Sequence, residues 1–253
     1  MKKRGLFLFL FLVFGFFSAA NAQGVAVAGG QRSGQSAGVS AENWLLRKGR
    51  ELIDVLSIQE TKERYQKLRH ITKDIFNEKE MPRLAMGKYW KELSADQQDM
   101  LEKVFFDYFV VTYASTDFGL KSIDLRVAES VPSGKDILLK VFIKINLGTG
   151  EDLSDIRKTF SEAMGTKEKK EASDNGNKNE FEILFALRKR PVGYYIRDAK
   201  FEGQSIIMFM RGQLEKEYRQ ASYNGTALVE SMRRTVNSRY RAAEDLAKKN
   251  QKK

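Results

Sequence analysis

The sequence predicts an α+β fold: a helical N-terminal half, a curved four-stranded antiparallel sheet, and C-terminal helices that close over it. Three observations carry this. From Trp44 to Tyr113, apolar residues recur at helical spacing. The period then switches to alternation in four runs, around Ile123, Ile137, Phe181 and Val192. These runs follow one another with no crossover helix between most of them, and parallel strands would require one.

The elements follow in chain order. Lys2, Lys3 and Arg4 precede a continuous apolar run from Gly5 to Phe17, and Ala20-Asn21-Ala22 has the small-residue form of a cleavage site. Residues 1–22 therefore read as a signal peptide. The run is shorter than the ~20 residues of a spanning helix, which argues against a membrane anchor. Residues 23–39 are rich in Gly, Ala, Ser and Gln and read as a flexible leader. One domain is expected over 40–247, with a basic tail at 248–253. Ser40 is placed to cap a first helix carrying Trp44, Leu45, Leu52, Ile53 and Leu56. A second helix is expected from Ile58 to Phe76, and a third around Met81 to Leu93, with Pro82 tolerable in its first turn. Ser94-Ala95-Asp96-Gln97 is a capping box that opens a fourth helix.

That fourth helix contains the stretch Val104 to Tyr113, "VFFDYFVVTY". Wound at about 100° per residue, its apolar side chains cover most of the circle, interrupted by Asp107 and Thr112. A surface helix has a polar back; this one requires apolar neighbours on nearly every side.

In the strands, Ile123, Leu125 and Val127 alternate with polar neighbours. So do Ile137, Leu139, Val141, Ile143 and Ile145, and then Phe181, Ile183, Phe185 and Leu187. The run from Val192 to Phe201 places Tyr194 and Ile196 on one face, and Pro191-Val192-Gly193 predicts a hairpin turn. The segment 147–179 is too long for that role and reads as an insertion. It has one amphipathic stretch (Leu153, Ile156, Phe160, Met164) and a charged remainder from Gly165 to Asn179 with few apolar residues. A helix is expected from about Ser205 to Ala221. After the Asn224-Gly225 turn comes a last charged helix toward Leu246.

The net charge is +11, and it is unevenly distributed. From Arg188 to Lys253, sixteen basic residues face seven acidic ones, whereas Gln23 to Leu187 is nearly neutral. In an exported chain this argues against nucleic acid. It fits attraction to anionic lipid surfaces or acidic protein patches, or a solvated helical face that keeps the protein soluble.

Catalytic material is sparse. With no cysteine in the chain, disulfides, thiolate metal sites and thiol nucleophiles are excluded. His70 is the single histidine, and no motif surrounds it. No phosphate-binding glycine loop, zinc-binding helix motif or nucleophile elbow is present, and no metal or cofactor is expected. Asp198 and Glu202 lie four apart on the last strand and share a face. A carboxylate pair of this kind can do acid–base work. The competing reading is that Asp198 organises the strand end through backbone amides.

Two segments resemble the MlaC family, the auxiliary component of a lipid ABC transporter. They are "IFNEKEMPRLAMGKYWKELSADQQDMLEKVFFDYF" and "GYYIRDAKFEGQSIIMFMRGQLEKEY". The specific points are Leu84-Ala85-Met86-Gly87, Trp90 and Gln98. Asp198, Glu202-Gly203, Ser205, Arg211 and the Asn224-Gly225 turn leading to Leu228 complete the set. The resemblance runs from about Trp44 to Arg234, and the insertion at 147–179 and the Gly-rich leader depart from it. It implies an NTF2-like cone and a periplasmic phospholipid carrier without catalytic residues. Its partners would be an inner-membrane MCE-domain ABC transporter complex and an outer-membrane lipoprotein/porin complex, in the upkeep of outer-membrane lipid asymmetry. The apolar faces placed to hold acyl chains are Leu84 on the third helix and Phe105, Phe109 and Tyr113 on the fourth. Leu139, Val141, Ile143, Ile183, Phe185, Tyr194 and Ile196 would add the strands, and Ile207 and Met210 the helix that follows. The alternative is an enzyme on an NTF2-like scaffold, with Asp198 as general base on an apolar substrate.

Overall fold

The computed structural model describes residues 40–113, 120–147, 180–201 and 203–250. The expected signal peptide and leader, most of the expected insertion and the last three residues of the expected basic tail lie outside these. Four helices come first: α1 (Ala41–Leu56), α2 (Thr61–Ile75), α3 (Glu80–Met86) and α4 (Ala95–Tyr113), with a 3₁₀ segment, Gly87–Glu92, between the last two. The strands are β1 (Leu120–Ser133), β2 (Asp136–Leu147), β3 (Glu180–Lys189), β4 (Tyr194–Phe201) and the two-residue β5 (Gln204–Ser205). Helices α5 (Ile206–Gln220) and α6 (Gly225–Asn250) complete the chain.

The sheet is an antiparallel meander in the order β1-β2-β3-β4-β5. It has five strands rather than four, because Gln204 and Ser205 turn back onto Phe201 and Lys200 before α5 begins. Two residues are too few for any periodicity to reveal. The expected third helix is split. Gly87 takes a φ of +56° at the end of α3, and the chain tightens into the 3₁₀ segment before Leu93.

The caps sit where the side chains call for them. Asn43 N donates to Ser40 Oγ at 3.1 Å. Ser94 N donates to Gln97 Oε1 at 3.0 Å and Gln97 N to Ser94 Oγ at 3.3 Å, closing the capping box of α4. Arg190 N donates to Gly193 O at 3.0 Å across the β3–β4 hairpin.

Helix α4 is enclosed as its composition demands. Leu101, Val104, Phe105, Phe106, Tyr108, Phe109, Val110 and Val111 are all buried. It packs along α6 and α2, and its rings interlock, with Phe105 4.8 Å from Phe109 and 5.2 Å from Phe106. Each such side chain contributes about 1.5–3 kcal/mol by leaving water. Asp107 is the exception on this helix. Its Oδ1 lies 2.6 Å from Arg69 Nε. Burial pushes the carboxyl above its ordinary value, against the opposing charges of Arg69 and Lys73.

Candidate functional site

One face of the sheet is apolar throughout its centre. On β2 it carries Leu139, Val141 and Ile143, each 0% exposed. The register sets Phe185 beside Leu139 and Ile183 beside Val141. It then sets Ala199 beside Phe185 and Phe201 beside Ile183. Leu125 and Val127 on β1 face Ile143 and Val141. These residues form one continuous apolar cluster with Phe105 and Phe109 of α4, Ile207 and Met210 of α5, and Tyr194 and Ile196 of β4. Leu84 is half-buried and packs against it. Twelve of the thirteen residues expected to line a pocket therefore belong to this cluster or touch it; the side chain of the other, Tyr113, lies outside the described set.

The interior offers little polar chemistry. Among the described residues the only buried polar or charged ones are Arg64 and Thr72. Both are on α2 and bond to nearby backbone carbonyls, although Arg64 Nε is buried without a partner among the described residues. Arg64 donates to Ile58 O at 2.5 Å, and Thr72 Oγ1 to Leu68 O at 2.7 Å.

Sequence reasoning missed Ala199 and Phe201. The cause is a β-bulge. The pairing skips Arg197, so that Asp198 faces Ala186 while Ile196 faces Leu187. Tyr194 and Ile196 point inward before the bulge, and Ala199 and Phe201 do so after it. A strict period of two assigns positions 198 and 200 to the interior. The bulge sends them to the other face.

Asp198 is thereby removed from the apolar cluster and takes up a structural task. Its Oδ1 accepts from Ala199 N at 2.9 Å, Ser205 Oγ at 3.0 Å and Ile207 N at 3.3 Å. Ser205 Oγ in turn accepts from Met208 N at 3.2 Å, capping α5. The carboxylate ties β4, β5 and the first turn of α5 into one corner. Glu202, its proposed neighbour, lies outside the described residues.

Other motif residues are also joints. Arg211 of α5 donates from Nη2 to Leu84 O at 2.8 Å, at the end of α3. It crosses directly over Gly87, where a Cβ would come within 2.7 Å of Arg211 Nε. Gly87 is thus required twice, by its positive φ and by the guanidinium above it. A Cβ on Gly225 would lie 2.6 Å from Leu93 Cδ2 and 2.8 Å from Gln97 Cδ. That bare backbone lets the start of α6 sit against the start of α4, where Gln97 Nε2 donates to Thr226 Oγ1 at 3.2 Å. Gln98 donates to the carbonyls of Trp90 and Leu93 at 2.9 and 3.2 Å, fixing the 3₁₀ segment.

On the opposite face of the sheet lies an ionic network. Asp136 accepts from Arg188 Nε at 2.7 Å and Arg197 Nη1 at 3.1 Å. Glu80, at the start of α3, accepts from Tyr195 OH at 2.7 Å and Arg197 Nε at 3.3 Å. Burial on its own raises the Asp136 carboxyl, but the hydrogen bonds and charge of Arg188 and Arg197 outweigh it and hold the group below its ordinary value.

A groove of about 380 Å³ lies between α1 and α2, lined by Lys48, Val55, His70 and Asp74 among others. None of the thirteen expected lining residues borders it, and its charged rim is unsuited to acyl chains. His70 is exposed there, as a lone histidine on a helix surface. No group of acidic and histidine residues among those described is placed to hold a metal ion. No described helix is long and apolar enough to cross a membrane.

Comparison with known proteins bears on the same geometry. Residues 50–152 match the family model described as "MlaC protein", which bears out the resemblance read from the sequence over that segment. A search of curated proteins finds no match. Among solved structures, the fold is similar to that of a phospholipid-binding protein from Ralstonia solanacearum, determined in complex with a phospholipid. That likeness has a TM-score of 0.53 at 12% identity, and covers 79% of this chain and 98% of the other.

Proposed function

We propose that this chain, MlaC-like in sequence over residues 50–152 and similar in fold to a phospholipid-binding protein, is itself a phospholipid-binding transport protein rather than an enzyme. The observation that carries the reading is the apolar cluster between sheet and helices. The apolar stretch Val104–Val111 of α4 and the inner sheet face share it, with no buried Asp, Glu, Lys, Arg or His among its members. Acyl chains are the ligand such an interior suits. Phe105 and Phe109, the row Leu139, Val141 and Ile143, and Ile207 and Met210 of α5 are the side chains assigned to them.

The physics of transfer explains the need for such a protein. A phospholipid with about 30 methylenes exposes about 24 kcal/mol of apolar surface to water, at ~0.8 kcal/mol per methylene. Free passage through an aqueous space is negligible at that cost. An apolar interior makes loading close to neutral, and unloading must also be into an apolar site. This supports the finer reading that the protein is exported to the periplasm. There it would shuttle lipid between an inner-membrane MCE-domain transporter and an outer-membrane lipoprotein/porin complex.

The enzyme alternative has no observation in its favour. Asp198 is on the far side of the sheet from the apolar interior, and three donors already engage its Oδ1. Native mass spectrometry of the gently purified protein tests the lipid reading. The expected result is a population heavier than the polypeptide by the mass of one phospholipid. Lipid-free protein in every preparation, unable to take up phospholipid from detergent micelles, overturns it.

A further inference from the structure

The basic excess of the C-terminal third has a defined position in the fold. Helix α6 buries Val229, Met232 and Ala243 and packs Val236 against the core. On the opposite side, Arg234, Arg241 and Lys248 recur at intervals of seven. At 3.6 residues per turn they fall within about 40° of one another, along a row about 21 Å long. Arg233 and Lys249 flank the row. All five are exposed, and none takes part in an ion pair among the described residues. Glu230 and Asp245 share this side, while Glu244 is held by Lys62 at 2.6 Å. Glu244 is also attracted by Arg241 and Lys248, so five cations stand against Glu230, Asp245 and a Glu244 already shared with Lys62. Lys248 and Lys249 also suit the helix C-terminus. Arg233, Arg234 and Arg241 are mid-helix and have no such local role.

We propose that this face of α6 docks the protein on anionic phospholipid surfaces. The inference goes beyond lipid carriage, because it concerns the outside of the protein and requires no bound lipid. An acidic protein surface is the rival occupant, and the makeup of the face favours the membrane. Stable protein interfaces concentrate their energy in desolvated apolar or aromatic anchors. Here the residues between the cations are Asn237, Ser238 and Asp245, none of them apolar, and the exposed Leu246 lies about 140° away around the helix. A convex ridge of long basic side chains matches a continuous, deformable layer of phosphate groups, and attraction to such a layer needs no anchor.

The test is co-sedimentation of the full chain with phosphatidylcholine vesicles and with vesicles that also contain phosphatidylglycerol. The quantity scored is the difference between the two lipids, compared between variants: the apolar run Gly5–Phe17 meets both lipids alike, and the attraction of Lys2, Lys3 and Arg4 to anionic lipid is common to every variant and cancels. Preferential binding to the anionic vesicles is expected, weakening as sodium chloride rises. The variant R233E/R234E/R241E should lose about tenfold or more of that preference. The variant K135E/K144E/K200E removes the same charge from exposed positions on the sheet and its hairpin, and should retain most of the preference. Circular dichroism checks both folds. If the charge-reversed helix fails to fold, R233Q/R234Q/R241Q replaces it, with a smaller loss expected. Equal losses in the two variants would reduce the effect to net charge and overturn the site. So would a wild-type chain indifferent to phosphatidylglycerol, including one that instead binds an acidic protein through α6. Native mass spectrometry reports bound lipid separately, so failure here is distinguishable from failure of the carrier reading.

Discussion

Replacing Val141 by Trp separates a lipid chamber from an ordinary core. Val141 is mid-strand on β2 and is 0% exposed. It pairs with Val127 on one side and Ile183 on the other, with Leu139 and Ile143 next on the same face. In a close-packed interior, the extra ring forces neighbours off their rotamers, which costs about 1–3 kcal/mol or more. For a domain of this size that is a fall in Tm on the order of 2–12 °C. In an interior that parts to admit acyl chains, the neighbours can yield, and the indole takes the volume a chain would occupy. The lipid-free variant is then expected within about 1 kcal/mol of wild type, with a clear fall in bound phospholipid. The assay is thermal unfolding of delipidated wild type and variant, paired with phosphate analysis of each protein as purified. Strong destabilisation of the lipid-free variant with full lipid occupancy would place Val141 in solid core and refute the assignment of this face.

Two further predictions concern the frame around the interior. Asp198→Asn keeps an oxygen acceptor for Ser205 and the Ile207 amide, so lipid occupancy should stand and stability fall only slightly. Asp198→Ala, which strands those donors, should cost about 1–3 kcal/mol by urea unfolding. Loss of a chemical activity in the Asn variant at unchanged stability would reverse our view of this residue. Asp136 predicts an acid dependence. Its carboxyl is held below its ordinary value of 3.8, so below that pH the unfolded chain binds the proton more readily than the folded one. The stabilisation is fully present above the ordinary value and is lost as pH falls through the depressed one. Urea midpoints measured across that range should decline less steeply for Asp136→Asn than for wild type; parallel curves would show that the Arg188–Asp136–Arg197 cluster contributes no linkage.

The residues that make the sequence recognisable and those that face the candidate ligand were legible by different signals, and the fold explains why. Gly87, Arg211, Gln97, Gln98 and Gly225 are joints. The two glycines sit where a Cβ would crowd a neighbour, as at the 2.7 Å between a Cβ at Gly87 and Arg211 Nε, and Arg211, Gln97 and Gln98 are placed by specific hydrogen bonds. Such constraints select one amino acid at one spacing, so they can be read as motifs. The inner face answers to a weaker demand, that a side chain be apolar and point inward. Periodicity finds it wherever the backbone keeps its period, as in the row Leu139, Val141 and Ile143. It fails at Arg197, where the bulge reverses the parity of β4 and brings in Ala199 and Phe201, and at β5, whose two residues have no period. The bulge also decides the chemistry. With unbroken alternation, Asp198 would lie on the inner face beside Ile196, and a carboxylate in that setting is the raw material of a general base. Skipping one residue places it on the outer side, where it serves as a cap, and leaves Ala199 and Phe201 to complete an apolar wall. On this strand, the choice between an acid–base site and a lipid-compatible surface rests on a single unpaired position.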